Sequence, residues 1–513
     1  MAVTEMPNDL KELADKRKNQ IEQNINTKKD FSSYDEMFNL LLEDAGQTKK
    51  SLLTEEEQEK LATGDKSVKL PKLPKLTVAG IFKKHFDVCM FDSEETSRLA
   101  VYIPMEGIYT QNYGLIKKII SYIETSLTEN QADTVIYYIR NRADVKQPIR
   151  SRYLIPVSNG IFNLKKHELM PFSPEYVFTT KIATNYVDNP IPPNINGWTI
   201  DGWLNELACN DQQIVNLLWQ VINDACNGNY TRRKAIFLVG NIAGNNGKGT
   251  FQELITNLVG PENVGHLKVT QFDKRFSLAN LVGKSVCIGD DTPANVFIKD
   301  SSNFNSVVTG DHVMIEHKGK DSYSLQLTCA VIQSCNGMPN FHNKGGTMRR
   351  ILIVPFNAHF GDSKKSDNWN IKDDYIERQD VLEYVLYRAL QLDFEKFSEP
   401  DASSKALQEF EIDNDPIISF KKEFFDSNSI ERIPTYYLYG FYTKYCTKNH
   451  YTALSSGKFI RQLMERSPEL EKTVVKINSE DIENFKDINS KLEFTNYENV
   501  PVIKRSYNAV VKK

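Results

Sequence analysis

A chain of 513 residues exceeds what one hydrophobic core supports and calls for about three or four domains. With 40% hydrophobic and 25% charged residues it has the make-up of a globular protein. Its net charge of -4 excludes a uniformly basic nucleic-acid binder, so any DNA contact must come from local patches or from basic residues around an interior ring.

Residues 1–76 are polar and of mixed charge, with helical character at Asp9–Ala14 and Tyr34–Leu42 and a helix start at Thr54-Glu-Glu-Glu-Gln58. No catalytic pattern falls here, and the segment reads as a solvated helical arm, with docking to a partner protein as the sharper alternative. Leu70-Pro-Lys-Leu-Pro-Lys-Leu76 reads as a linker, since two prolines in a short basic run cannot continue a helix. Residues 77–232 form a mixed α/β region. Within it Ser158–Leu164 reads as a hairpin with Asn159-Gly160 as its turn or bulge, Pro190–Pro193 marks a boundary, and Trp203–Asn223 a helical pattern. The basic, aromatic stretch from Tyr137 to Arg152 reads as a solvated face in preference to a nucleic-acid contact.

Residues 233–360 carry the chemistry. Ile236-Phe-Leu-Val-Gly240 is a short apolar strand that breaks into a glycine-rich loop and then a helix whose apolar positions are Phe251, Leu254, Ile255, Leu258 and Val259. Such a loop closes backbone N–H groups on phosphates, supplies a lysine for the β and γ oxygens and a hydroxyl for Mg²⁺, and lets the helix N-terminus face the anion. Gly244, Asn246, Gly247, Lys248, Gly249 and Thr250 are the candidate ATP-binding residues. The pattern departs from G-x-x-x-x-G-K-[ST] twice: Ile242 stands where the first glycine belongs, and Gly249 where the hydroxyl belongs, so Thr250 must supply it. Gly247-Lys248-Gly249-Thr250 also looks like the loop of adenylate kinases, so the loop alone leaves a nucleotide kinase open.

The apolar run Lys284–Gly289 ends in Asp290-Asp291, a pair fit to hold Mg²⁺ and direct water. Asp290 is assigned to the metal with Thr250 and Asp291 to the water, a split that stands open to reversal. A second apolar strand, Cys329–Ser334, ends at Asn336, an uncharged amide able to hold the γ-phosphate or the attacking water. Between them, Gly310–Leu327 alternates like a β-hairpin with His317, Lys318 and Lys320 at a basic tip. Arg349-Arg350 enters the strand Ile351–Phe356 and offers an arginine finger to ATP on a neighbouring subunit.

Residues 361–414 form a helical, acidic connector whose stripe Val381, Leu382, Val385, Leu386 and Leu390 is core packing. Beyond 415 the composition turns aromatic and basic. Ser455–Met464 suits a recognition helix, with Lys458, Arg461 and Gln462 outward, and DNA binding is preferred there. Seven cysteines, Cys89, Cys209, Cys226, Cys287, Cys329, Cys335 and Cys446, stand singly with no CxxC pair, and read as reduced, mostly buried thiols. No signal-peptide run opens the chain and no stretch nears ~18 apolar residues, so a cytoplasmic location without a membrane partner is expected.

In this order the phosphate loop, Asp290-Asp291, Thr309-Gly310-Asp311, basic hairpin, Asn336-Gly-Met-Pro339 and Arg349-Arg350-Ile351 resemble the superfamily 3 helicases, in their phage, plasmid and poxvirus primase-helicase branch. Asn159–Leu164 with His167–Thr180 resembles the domain that precedes the helicase there, and Asp415–Phe420 with Tyr436–Cys446 its winged-helix region. The resemblance covers roughly residues 77–465. It implies a multidomain α/β chain: a central P-loop, AAA+-like parallel sheet flanked by helices (233–360), an N-terminal α/β domain (77–232), and a C-terminal winged-helix domain (415–513). It further implies ATP and Mg²⁺ as cofactors, a homo-hexameric ring with ATP between subunits, single-stranded DNA in the pore and 3′ to 5′ translocation. Carried over by position, Lys248 and Thr250 bind triphosphate and metal, Asn336 is the sensor, Arg350 is the finger in preference to Arg349, and His317, Lys318 and Lys320 grip DNA. About 75 polar residues precede the shared region, too few for the primase domain of many members. No primase activity is therefore expected, and a separate primase or host replication protein is the expected partner. The rival readings are an initiator ATPase that assembles at an origin without unwinding, and a nucleotide kinase.

Overall fold

The computed structural model describes residues 31–94, 97–240, 244–294, 296–319, 322–341, 344–361, 368–426, 430–449, 451–491 and 500–513. The chain divides into two compact units, one up to Pro400 and the other Asp401–Lys513. The helix expected at Asp9–Ala14 lies outside the described residues.

The helix Tyr34–Ser51 is not the solvated arm that its polarity suggests. Ser33 caps it by accepting from the Glu36 N–H, and Met37, Phe38, Leu41 and Ala45 share one face. That face is buried with Val78 and Phe82 of the helix Lys75–His85, Ile116 and Ile120 of Tyr113–Ile123, and Val135 and Ile139 of Glu129–Arg140. The next helix, Glu55–Ala62, with its Thr54–Glu57 capping box, does stay solvated and has no buried residue. The proline-rich linker is docked as well. Leu73 is buried, its N–H donates to the Glu124 carboxylate at 2.9 Å, and Lys49 pairs with the same carboxylate at 2.9 Å.

Four strands, β1 (Val88–Met90), β2 (Leu99–Ile103), β3 (Ile108–Thr110) and β4 (Asp144–Val145), form a sheet in the order β3-β2-β1-β4. A second sheet is the antiparallel meander β5 (Leu154–Val157), β6 (Gly160–Asn163) and β7 (Glu168–Met170); its first hairpin is the expected one, but the turn is Ser158-Asn159 instead of Asn159-Gly160, since Gly160 already pairs with Val157. The single helical pattern at Trp203–Asn223 resolves into two helices, Ile200–Leu207 and Gln212–Ala225. Cys209 and Asn210 take φ of 51° and 65°, which ends the first, and Asp211 caps the second by accepting from the Gln213 and Ile214 N–H groups.

The central sheet is parallel and five-stranded. Its members are β8 (Ala235–Gly240), β9 (Val264–His266), β10 (Val286–Thr292), β14 (Ala330–Cys335) and β16 (Ile351–Phe356), in the order β16-β8-β14-β10-β9. Unbroken burial along β14, and along Val286–Gly289 of β10, is what a parallel sheet covered on both faces requires. Among the connections, β11 (Phe297–Ile298) pairs with β15 (Asn340–Phe341), and β12 (His312–Ile315) pairs antiparallel with β13 (Tyr323–Gln326), the expected hairpin.

In the second unit, β17 (Arg432–Pro434), β18 (Leu470–Lys476) and β19 (Ser506–Lys512) pair antiparallel in the order β17-β19-β18. Helices Pro416–Lys421, Thr435–Lys448 and Ser456–Arg466 close an aromatic core, in which Tyr442 stacks on Phe459 at 4.0 Å between centroids. The helix Asp401–Asn414, expected as part of a connector, belongs to this unit.

Candidate active site

The loop after β8 is shaped by backbone that few residues other than glycine adopt. Gly244, Asn245 and Gly247 take φ of 72°, 47° and 82°, and Gly247 stands as the cap of the helix Lys248–Val259. A Cβ on Gly247 would lie 2.3 Å from Leu207 Cδ2, and one on Gly240 would lie 2.0 Å from Asn246 Nδ2 and 2.1 Å from Lys248 Nζ. Both glycines are therefore fixed by close approach. Ile242, the misfit in the sequence pattern, lies outside the described residues.

Lys248 is 8% exposed and its ammonium donates to Asn246 Oδ1 and to Asn336 Oδ1, both at 2.7 Å. One side chain thus bridges the glycine-rich loop and the C-terminal end of β14. Burial pulls the ammonium below the usual lysine range, and the negative charges of Asp291 and Asp290 oppose that pull. Asn246 is itself buried, and its Nδ2 has no partner among the described residues. A buried donor without an acceptor beside a buried ammonium is chemistry suited to an anion.

The acidic pair sits on an irregularity. The register of β10 against β14 shifts between Gly289 and Thr292, and Asp291 takes φ of 48°. Ser334 holds both residues: its hydroxyl donates to Asp290 Oδ1 at 2.7 Å and accepts the Asp291 N–H at 2.9 Å. Lys268 Nζ reaches the Asp291 carbonyl at 3.2 Å. Sequence reasoning missed Ser334, whose only signal was a hydroxyl two residues before Asn336. It also missed Gln333, which is fully buried, accepts the Val269 N–H at 2.8 Å and occupies the space a Gly289 side chain would need. Thr250 lies in the first turn after Lys248, half-buried, while a Cβ on Gly249 would meet nothing within 4 Å.

The structure therefore gathers Asn246, Gly247, Lys248, Asn336, Asp290 and Asp291 at the C-terminal edge of the central sheet, the edge at which parallel sheets bind ligands. Arg349 and Arg350 are not with them. In the β16–β8 register Ile351 pairs with Ala235 and Phe356 with Gly240, so both arginines lie at the opposite edge, roughly 16 Å away at about 3.3 Å per residue. Arg349 is exposed. Arg350 is half-buried, its Nη1 donates to the Gly346 carbonyl, and burial with the Arg349 charge beside it pulls its guanidinium below the usual range.

On the hairpin, half-buried His317 stacks on Tyr323 at 6.1 Å and Lys318 is exposed, while Lys320 lies outside the described residues. In the second unit Lys458 and Arg461 are exposed on the helix Ser456–Arg466, and Gln462 is half-buried. Six of the seven cysteines are buried, Cys209 being the exposed one, and burial pushes the Cys335 thiol up to about 11. Among the described residues no three His, Cys, Asp or Glu side chains gather as a metal cage, and no helix is long and apolar enough to cross a membrane. Thr250 and Asp290 are a sparse set of hard oxygen donors, which fits an ion such as Mg²⁺ that keeps most of its waters.

Comparison with known proteins divides the chain in three. Residues 5–209 match the family described as D5 N terminal like, 238–350 a family of unknown function, and 412–502 the family described as poxvirus D5 protein-like. Solved structures similar to the chain include the A form apo structure of the NrS-1 C-terminal region, at 13% identity over 86% of this chain and 100% of that one, with a TM-score of 0.45. Another apo structure of the same region gives 12% identity over 79% and 97%, with a TM-score of 0.44. The two flanking matches are both to families described by the D5 name, one on each side of the segment that holds Lys248, Asp290, Asp291 and Asn336.

Proposed function

We propose that the chain is an ATP-dependent DNA helicase and replication initiator, with an AAA+-like P-loop core and a C-terminal winged-helix domain, working as a hexameric ring on single-stranded DNA. The observation that carries this reading is the bridge from Lys248 to Asn246 and Asn336 beside Asp290 and Asp291. It supports a triphosphate site in which loop, sensor amide and acidic pair already face one point.

Lys248 exchanges its two amide acceptors for phosphate oxygens, and the anion restores the charge that burial weakens. Thr250 and Asp290 would hold Mg²⁺, which supplies neutralisation of the charge building on the phosphates. Asp290 is anchored by Ser334 and suits the metal, which leaves Asp291, at the bulge, to orient and deprotonate water. Asn336, released by Lys248, hydrogen-bonds the γ-phosphate or that water. Arg349 and Arg350 lie too far from their own chain's loop to serve it, which supports a finger acting on a neighbour and hence a ring. The Lys318 hairpin would grip DNA in the pore, and Lys458 with Arg461 would contact duplex DNA.

Unwinding of a forked duplex by the wild type and Lys248→Ala tests the reading. The wild type is expected to displace strand in an ATP-dependent way, and Lys248→Ala to lose about 100-fold or more in turnover. A wild type that hydrolyses ATP yet displaces neither fork polarity fails as a helicase and stands as an initiator ATPase.

A further inference from the structure

A cavity of about 530 Å³ lies away from the phosphate loop, where the N-terminal sheet, the loop Leu281–Lys284 and the root of the β12–β13 hairpin meet. That volume falls within the ~300–1,000 Å³ of small-molecule sites. Its wall carries Arg98, Arg150 and Lys284, and no Asp or Glu among the described lining residues. Arg98 is held in place by two rings, lying 4.3 Å from the Tyr113 centroid and 5.3 Å from that of Tyr323. Arg150 donates to Thr328 Oγ1 at 2.8 Å.

Uncompensated positive charge among aromatic rings is what recognises a phosphate joined to a base. A second, independent observation points the same way. Thr180 lines the cavity and is 3% exposed, yet its Oγ1 has no hydrogen-bond partner among the described residues. Buried hydroxyls are nearly always satisfied, so a turn of this side chain that brings Oγ1 to the cavity would give it the partner it lacks.

We propose that this cavity is a second nucleotide site. It takes one nucleoside 5′-phosphate unit, with the phosphate among Arg98, Arg150 and Lys284 and the base against the Tyr113, Arg98 and Tyr323 cluster. The site is separate from the phosphate loop and does not rest on the ATPase reading. The unit it holds comes either from a free mononucleotide or from one nucleotide of a single strand passing the hairpin.

The test uses the full chain carrying Lys248→Ala, without Mg²⁺, so that the phosphate loop contributes little. Thymidine 5′-monophosphate is titrated by calorimetry and fluorescently labelled dT10 by anisotropy, each against that background and against the same chain with Arg98→Gln or Thr180→Val. At least one ligand is expected to bind and to weaken about tenfold with either substitution. Loss of monophosphate binding identifies a free nucleotide, and loss confined to dT10 identifies a unit of a strand. Thr180→Val separates binding from structure, because its hydroxyl has no partner to lose: thermal stability should hold while affinity falls. Affinities within twofold across all three chains, or no binding of either ligand, overturn the proposal.

Discussion

At the scale of the residue, the oddest letter in the proposed phosphate loop is Gly249, which stands where such a loop ordinarily has a hydroxyl. Thr250 follows in the same helical turn, and the space beside Gly249 is open. Thr250→Val should therefore abolish ATP turnover by removing a metal ligand while keeping shape, and Gly249→Ala should leave turnover within a few-fold of wild type. Normal hydrolysis by Thr250→Val, measured as phosphate release, would move the metal ligand elsewhere. Ser334 gives a finer test. It holds Asp290 through its side chain and Asp291 through its backbone, so Ser334→Ala should lower kcat about tenfold with little change in KM, because the acidic pair loses its aim and not its charge. An equal rise in KM would show that Ser334 serves binding instead. That Lys248, Asn336, Asp290 and Asp291 come together was legible in the sequence, because each follows an apolar strand in the pattern that a phosphate site would demand. Ser334 and Gln333 were not, since a serine and a glutamine ending a strand carry no pattern until the neighbouring strand is in place.

At the scale of the element, the hairpins and four of the five central strands were legible from their periodicity and turn residues, while β9, only three residues long, carries too little pattern to be read. The N-terminal helix Tyr34–Ser51 was not: it is polar on most of its surface, and Met37, Leu41 and Ala45 become a stripe only beside the partners that cover them. Met37→Ala should cost about 2–5 kcal/mol, since Met37 is fully buried. A chemical denaturation midpoint unchanged by that substitution would return this helix to a solvated arm. The docked proline stretch has a pH signature. Burial alone would raise the Glu124 carboxyl, but the Leu73 N–H, Lys49 and Ser126 bring it down from 4.5 to about 2. A carboxyl lowered on folding adds stability above its unfolded value, and that stability is lost as pH falls from about 4.5 towards about 2. Acid unfolding of the wild type should steepen in that window, and Glu124→Gln should flatten it while lowering stability at neutral pH.

At the scale of the whole molecule, the central sheet holds the proposed catalytic residues apart. Its C-terminal edge carries the glycine-rich loop, the Asn336 amide and the acidic pair, and its N-terminal edge carries Arg349 and Arg350, about five strand residues away. A side chain of Arg length cannot cross that distance along its own sheet, so if the arginines serve catalysis they complete the site of another copy. Subunit mixing tests this directly. Lys248→Ala alone and the double variant Arg349→Ala, Arg350→Ala alone should each hydrolyse ATP at least about 100-fold more slowly than wild type. Mixed in one assembly, the two should recover activity. A double-variant subunit brings an intact loop, a Lys248→Ala subunit brings intact arginines, and some of the interfaces between them contain both. Recovery should follow the fraction of such interfaces as the mixing ratio is varied, with a maximum near equal amounts. Mixed assemblies that form, by mass, yet stay inactive at every ratio would show that the arginines act within their own chain or not at all, and the ring would lose its main structural argument.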